Sequence, residues 1–209
     1  MRHLLVAAVL LLPGLARADV RIECGAGCAA AGKRAILVGR GDRVYLEVES
    51  GPRVLVGPGL FRIAGSEKPA EPGAAVAGTD LALEDLLVFD RHALAFPMVS
   101  DDGPAGVVVT SAPAGTSSYA LLVFTIERAK HAIVKTQYYQ GTVGNLTKLR
   151  RDLAPVEQDG HWRPTELTID NLRAASSTRL HLTWRTATDA PASLFDPEAL
   201  ARPSGLTFP

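Results

Sequence analysis

From Tyr119 to Leu200 apolar and polar residues alternate along one segment after another, so that each segment has a greasy side and a wet side. The clearest case is Arg179 to Arg185. There Leu180, Leu182 and Trp184 share one side, and Arg179, His181, Thr183 and Arg185 share the other. A period of two predicts half-buried antiparallel sheet. Upstream, the apolar runs Ala35 to Val38, Val44 to Val48 and Val54 to Val56 are separated by Gly39-Arg40-Gly41-Asp42 and Ser50-Gly51-Pro52, which reads as hairpins. Gly65 to Gly78, with Pro69, Pro72 and Gly73, is too rich in Pro and Gly for an element and reads as a loop. Thr79-Asp80 then predicts the cap of a short helix through Glu84, Asp85, Leu86 and Leu87.

Further strands are expected at Ala93 to Val99, Gly106 to Ser111, Tyr119 to Ile126, His131 to Gln140, Leu146 to Leu153, Trp162 to Asp170 and Thr178 to Arg185. Asp196-Pro197-Glu198 reads as a second helix start, with an acid at the cap and Pro in the first turn. The expected fold is mainly β (α+β), a curved antiparallel sheet or incomplete β-barrel with short helices on the concave side. No repeat or linker divides it, so residues 19–209 read as one domain.

The first 18 residues read differently. Met1-Arg2-His3 is followed by the apolar run Leu4 to Leu12, a break at Pro13-Gly14, and Ala16-Arg17-Ala18 before Asp19. That order is the signature of a secretory leader, and the run is shorter than the ~20 residues a membrane span needs. The alternative is a buried N-terminal strand or helix. With the leader removed at Ala18 the product starts at Asp19, is periplasmic, and has lost Arg2 and Arg17, so its net charge moves from zero to about −2. Nucleic acid, which requires a basic footprint, is thereby disfavoured as a partner.

Candidate chemistry is sparse. The two cysteines stand in Cys24-Gly-Ala-Gly-Cys28 and, outside the cytoplasm, read as a disulfide closing a small loop. A zinc site needs four ligands and no second pair exists, so no metal is expected. His92, His131, His161 and His181 are scattered, without the i, i+4 pairing that puts two imidazoles on one helix face. Asp80, Glu84 and Asp85 suit helix capping at least as well as acid–base chemistry. No Gly-x-Ser-x-Gly elbow occurs. The expectation is a protein that is not an enzyme and uses no cofactor.

From Gly78 onward the order of short motifs resembles the periplasmic outer-membrane lipoprotein-sorting proteins, the superfamily of the Lol carrier and its outer-membrane receptor. Gly78-Thr79-Asp80 with Glu84-Asp85-Leu86 is similar to that family's Gly-Thr-Asp and Glu-Asp-Leu. Tyr119 opening an apolar strand, Val134 to Tyr139, Asp159 to Thr165, Ser177 to Leu180, and Leu194-Phe195 with Leu200 follow in the family's order. The chain departs from the family in several ways, among them Leu81 and Leu83 in place of aromatics. Only 59 residues separate Asp19 from Gly78, which implies a shortened front, and Ala82 stands where the family carries a Ser cap.

The resemblance implies a half-barrel whose greasy face holds acyl chains of lipoproteins or lipids, with a membrane export complex or an outer-membrane receptor as partner. The alternative is an accessory module of an envelope export complex. On the expected apolar face stand Leu121, Val123, Val134, Tyr138, Leu167, Ile169, Leu180, Leu182 and Trp184. Each also suits ordinary core packing. The register of the Tyr119 strand stays open, because Leu122, Phe124 and Ile126 compete with Leu121 and Val123 for the inner side.

Overall fold

A computed structural model describes residues 12–25, 27–87, 94–186 and 190–208, with side chains from Ala16 onward. Residues 1–11 of the segment read as a leader, and His92, lie outside the described residues. Twelve strands form one sheet in the spatial order β5-β4-β3-β2-β1-β12-β11-β10-β9-β8-β7-β6. They are β1 (Leu12–Cys24), β2 (Arg34–Gly41), β3 (Arg43–Val48), β4 (Arg53–Gly57), β5 (Leu60–Ile63) and β6 (Leu94–Asp102) in the first half. In the second half are β7 (Gly106–Pro113), β8 (Tyr119–Glu127), β9 (Ala132–Gln140), β10 (Leu146–Gln158), β11 (His161–Asn171) and β12 (Ser176–Thr186). Every pairing is antiparallel.

Two meanders, β1–β5 and β6–β12, meet where β1 pairs with β12, Val20 lying opposite Leu182. The sheet is not closed, and β5 and β6 are its edges. Five strands precede Gly78 within the 59 residues and the end of the segment read as a leader. Of these, β1 and β5 are absent from the sequence reading. Strand β5 has only four residues, and β1 begins inside the segment read as a leader, with Ala16 and Ala18 buried against the sheet.

Alternation sorts the side chains into two faces, as a strand period of two requires. Val20, Ile22, Val44, Leu46, Val54, Val56, Ile169 and Leu182 form the inner core, covered by Val76, Leu81 and Leu83 of the crossover between β5 and β6. On the opposite face Ile36, Val38, Tyr45 and Leu55 are covered by Leu194, Phe195 and Leu200 of the C-terminal segment. The second helix is therefore misplaced in the sequence reading. A 3-10 helix spans Ala192–Phe195, ahead of Asp196, and it lies on the outer face. Pro191 in the extended conformation starts it, and Asp196 ends it.

The register of β8 is also decided. Leu122 lies opposite Tyr138 and Phe124 opposite Thr136, and both leucine and phenylalanine are buried with Tyr119 and Ile133 in a third cluster. Leu121 and Val123 consequently turn outward. Val134 is displaced for a local reason: the register of β8 and β9 shifts between Thr125 and Ile126, which brings Ile133, not Val134, opposite Ile126. Truncating Leu122, fully buried, to Ala should cost about 2–5 kcal/mol. Leu121→Ala should cost about 1 kcal/mol or less. Urea denaturation of the two variants checks the assignment of faces.

Candidate functional site

The crossover between β5 and β6 lies across the inner face as a plug. Its centre is the Gly78-Thr79-Asp80 turn and a 3-10 helix at Leu83–Leu86. Gly78 has φ +75, and a β-carbon there would touch the backbone at Cys28 and Ala29, so glycine suits both the turn and its close approach to the N-terminal loop. That loop is closed by a disulfide between Cys24 and Cys28. The helix cap differs from the expected one. Thr79 and Asp80 do not cap it. The N-cap is Ala82, whose backbone N–H donates to Asp85 Oδ2 at 2.7 Å. The acid within the helix thus supplies the bond that a capping Ser side chain cannot.

Asp80 ties the turn to the sheet. Its carboxylate accepts from Ser176 Oγ at 2.6 Å and Thr178 Oγ1 at 3.0 Å, while its N–H donates to Thr178 Oγ1. Glu84, 1% exposed, accepts from Ser117 Oγ, Ser118 Oγ and the Ser118 N–H just ahead of β8. Asp85 accepts from Tyr119 Oη at 2.6 Å and pairs with Lys148 Nζ at 3.1 Å. Beside it Arg150 donates to the Asp85 carbonyl and binds Asp152 through both Nε and Nη2. All three acids weighed as acid–base candidates are engaged in anchoring the plug.

These contacts lie on a strand whose polar set faces inward. On β10, Lys148, Arg150 and Asp152 point to the plug, while Leu153 is on the outer side and 39% exposed. Burial raises the Tyr119 hydroxyl well above its ordinary pKa, and the neighbouring Asp85 adds to the shift. The Arg150 guanidinium is held above its ordinary value: burial is the largest single influence and opposes this, and Asp152, Tyr138 and Asp85 together outweigh it. The sequence reading missed Lys148, Arg150 and Asp152. Their signal was the alternation Lys-Leu-Arg-Arg-Asp-Leu, in which the charges, not the leucines, mark the inner face.

Between plug and sheet lies a cavity of about 80 Å³. Its walls are almost wholly apolar: Val20, Ile22, Val44, Leu46, Leu167, Leu180, Leu182 and Trp184 from the sheet, Val76, Leu81, Leu86 and Leu87 from the plug. Asp85 and Arg150 close its polar end. Four of the nine residues expected on the apolar face, Leu167, Leu180, Leu182 and Trp184, therefore meet around one space. Ile169 is sealed in the adjoining core, and Tyr138 packs against Tyr119 in the third cluster, the ring centres 4.8 Å apart and the planes tilted by 45°. Leu121, Val123 and Val134 do not line the cavity.

Arg163 on β11 is 3% exposed, yet its Nε and Nη1 have no hydrogen-bond partner among the described residues. Its guanidinium lies 5.2 Å from the centre of the Trp184 ring. Burial pulls its pKa below the ordinary arginine value, which Asp159 only partly offsets. Among the described residues no group of His, Cys, Asp and Glu could hold a metal ion.

Residues 61–202 match a family whose description reads "Uncharacterized protein". No curated protein matches the chain. Among solved structures, the chain is similar to a putative outer membrane lipoprotein-sorting protein domain from Vibrio parahaemolyticus. There the TM-score is 0.67 at 18% identity, over 90% of this chain and 92% of that one. A LolA superfamily protein from Nitrosomonas europaea gives a TM-score of 0.65 at 14% identity, over 87% and 88% of the two chains. A DUF1329 family protein from Desulfovibrio piger gives 0.61 at 16%, over 89% and 90%. At such identities the likeness is one of fold, and the open antiparallel sheet is the lipoprotein-sorting fold that the motifs resembled.

Asp85→Asn would leave Lys148 without its carboxylate and weaken the bond from Tyr119. We expect a loss of about 3 kcal/mol, with the plug detaching before the sheet melts. Hydrogen exchange at Leu83–Leu86 against that at β11 distinguishes local detachment from global unfolding.

Proposed function

The chain belongs to the family matched over residues 61–202, and from that membership and the fold it shares with lipoprotein-sorting proteins we propose a periplasmic, non-catalytic carrier of acyl chains. The observation that supports it best is the apolar cavity, closed on one side by a plug that polar bonds hold in place. A core sealed for stability alone is usually filled to organic-crystal density. Here the space is left open, and its cover is tied down by hydrogen bonds and ion pairs, which water can replace when the cover lifts.

In the closed form the cavity of about 80 Å³ is smaller than the roughly 150 Å³ that accommodates one benzene. An acyl chain therefore enters only as the plug moves aside. Each methylene transferred from water then contributes about 0.8 kcal/mol, so a chain of moderate length offsets the latch bonds it displaces. Release reverses the exchange, and a receptor that competes for the chain drives it. In this reading residues 1–18 are the leader, and the remaining part of β1, from Asp19 to Cys24, keeps its pairing with Thr183 to Thr178.

One observation favours a second reading, an accessory module that docks on an export complex. Phe96 is 90% exposed on edge strand β6, with Met98 and Val99 also exposed beside it. Phe96 at φ +55 and Pro97 interrupt the edge, so it presents side chains more readily than backbone bonds.

Expressed with its leader and purified from the periplasm, the protein should have an intact mass that begins at Asp19. Its native mass spectrum should show an acyl-bearing adduct, and acylated peptide should displace a bound apolar dye saturably. An empty protein that ignores acylated peptide would remove the carrier reading. Phe96→Ser should leave dye displacement unchanged under the carrier reading. Loss of a co-purifying envelope complex in that variant, with no lipid bound by either form, would establish the module instead.

A further inference from the structure

We propose that Arg163 is the head-group site for an anionic amphiphile, its guanidinium binding a phosphate or carboxylate whose attached chain occupies the apolar cavity. The proposal rests on the carrier reading and narrows its cargo from acyl chains in general to those that end in an anion.

A buried guanidinium is costly unless its donors are matched, and native structures rarely leave such groups alone. The other charges on the inner face obey that rule, since Lys148 pairs with Asp85 and Arg150 with Asp152. Arg163 is the exception, with both Nε and Nη1 sealed and unmatched among the described residues. It stands four residues from Leu167 on the same face of β11, about 13 Å along the strand. Leu167 lines the cavity, as does Trp184, and the Arg163 guanidinium lies over the Trp184 ring. The indole N–H donates to the Pro164 carbonyl at 2.6 Å, which holds that ring in place.

A cation–π contact with the Trp184 ring uses none of the guanidinium N–H donors, so Nε and Nη1 stay available to grip an oxyanion. Trp184 thus joins the two parts of the site, its ring shared between an apolar wall and a cation. Asp159, the acid that acts on Arg163 electrostatically, makes no hydrogen bond to it. A chain ending in a neutral ester or alcohol would leave the guanidinium unmatched and gain only the apolar contacts. In the closed form the two nitrogens are sealed from solvent, so the head group, like the chain, enters only when the closed form opens.

The test compares dodecyl phosphate, dodecanol and inorganic phosphate on the full chain by dye displacement and calorimetry. The native protein should bind dodecyl phosphate at least about tenfold more tightly than dodecanol, the equivalent of one charge-assisted hydrogen bond. In Arg163→Met the two affinities should converge while dodecanol binding stays within about twofold of native. Arg163→Lys should keep part of the preference, and Arg163→Gln replaces the Met variant if that one does not fold.

The Met variant should melt at the native temperature or higher, because it removes an unmatched buried charge; an arginine with a merely structural role would give a lower one. Equal binding of dodecyl phosphate and dodecanol by the native protein would overturn the head-group assignment and leave the carrier reading standing. So would a preference that survives in Arg163→Met. Inorganic phosphate competing as well as dodecyl phosphate would show a free-anion site and sink the amphiphile. If neither dodecyl compound binds, the carrier reading fails and this assignment fails with it.

Discussion

The inner face of the sheet is divided by a stripe of charge, and the cover of that face is built to meet it. Lys148, Arg150 and Asp152 project from β10 between two apolar regions, one under β1–β5, β11 and β12 and the other under β7–β9. Left bare beneath an apolar lid, three charges would oppose burial of everything around them. The plug answers with Asp85, set in a 3-10 helix that its own carboxylate caps, so one residue orders the lid and neutralises the stripe. Tyr119 adds a donor from β8, and burial together with that carboxylate keeps its hydroxyl protonated.

That arrangement separates the two tasks a removable lid has. Position comes from hydrogen bonds at fixed points: Asp80 on β12, Glu84 ahead of β8, and Asp85 on β8 and β10. Closure comes from Val76, Leu81 and Leu83, which pack on the sheet without directional demands. Polar bonds lose little when water replaces them, and apolar contacts lose little when a hydrocarbon chain replaces the lid. Both substitutions leave the sheet itself intact.

Most of the sheet was legible because period-two alternation is a strong signal wherever one face is buried, as in Leu180, Leu182 and Trp184. It failed where the usual assignment of polar to solvent is reversed. On β10 the charges Lys148, Arg150 and Asp152 face inward, so alternation alone did not single them out. Val134 was misjudged because an irregularity in the β8 and β9 register changes which residue faces in, and no single sequence shows where a register shifts. The motif acids were found but given a generic capping role, whereas their partners lie up to 98 residues away along the chain. Arg163 stood inside the Asp159 to Thr165 motif but was not singled out, since its lack of partners is a property of the folded surroundings.

The junction of β1 with β12 has a consequence for how the chain reaches this state. Neighbours in each meander are close in sequence and can pair as soon as they emerge, but Val20 must wait for Leu182. The first meander has a partner on only one side of its innermost strand, β2, until the last strand exists. Such non-local pairing makes folding slow and places its decisive step at the end of synthesis. A chain made in this order can form each meander as it emerges, but the two are joined into one sheet only once the whole of it has arrived in one place.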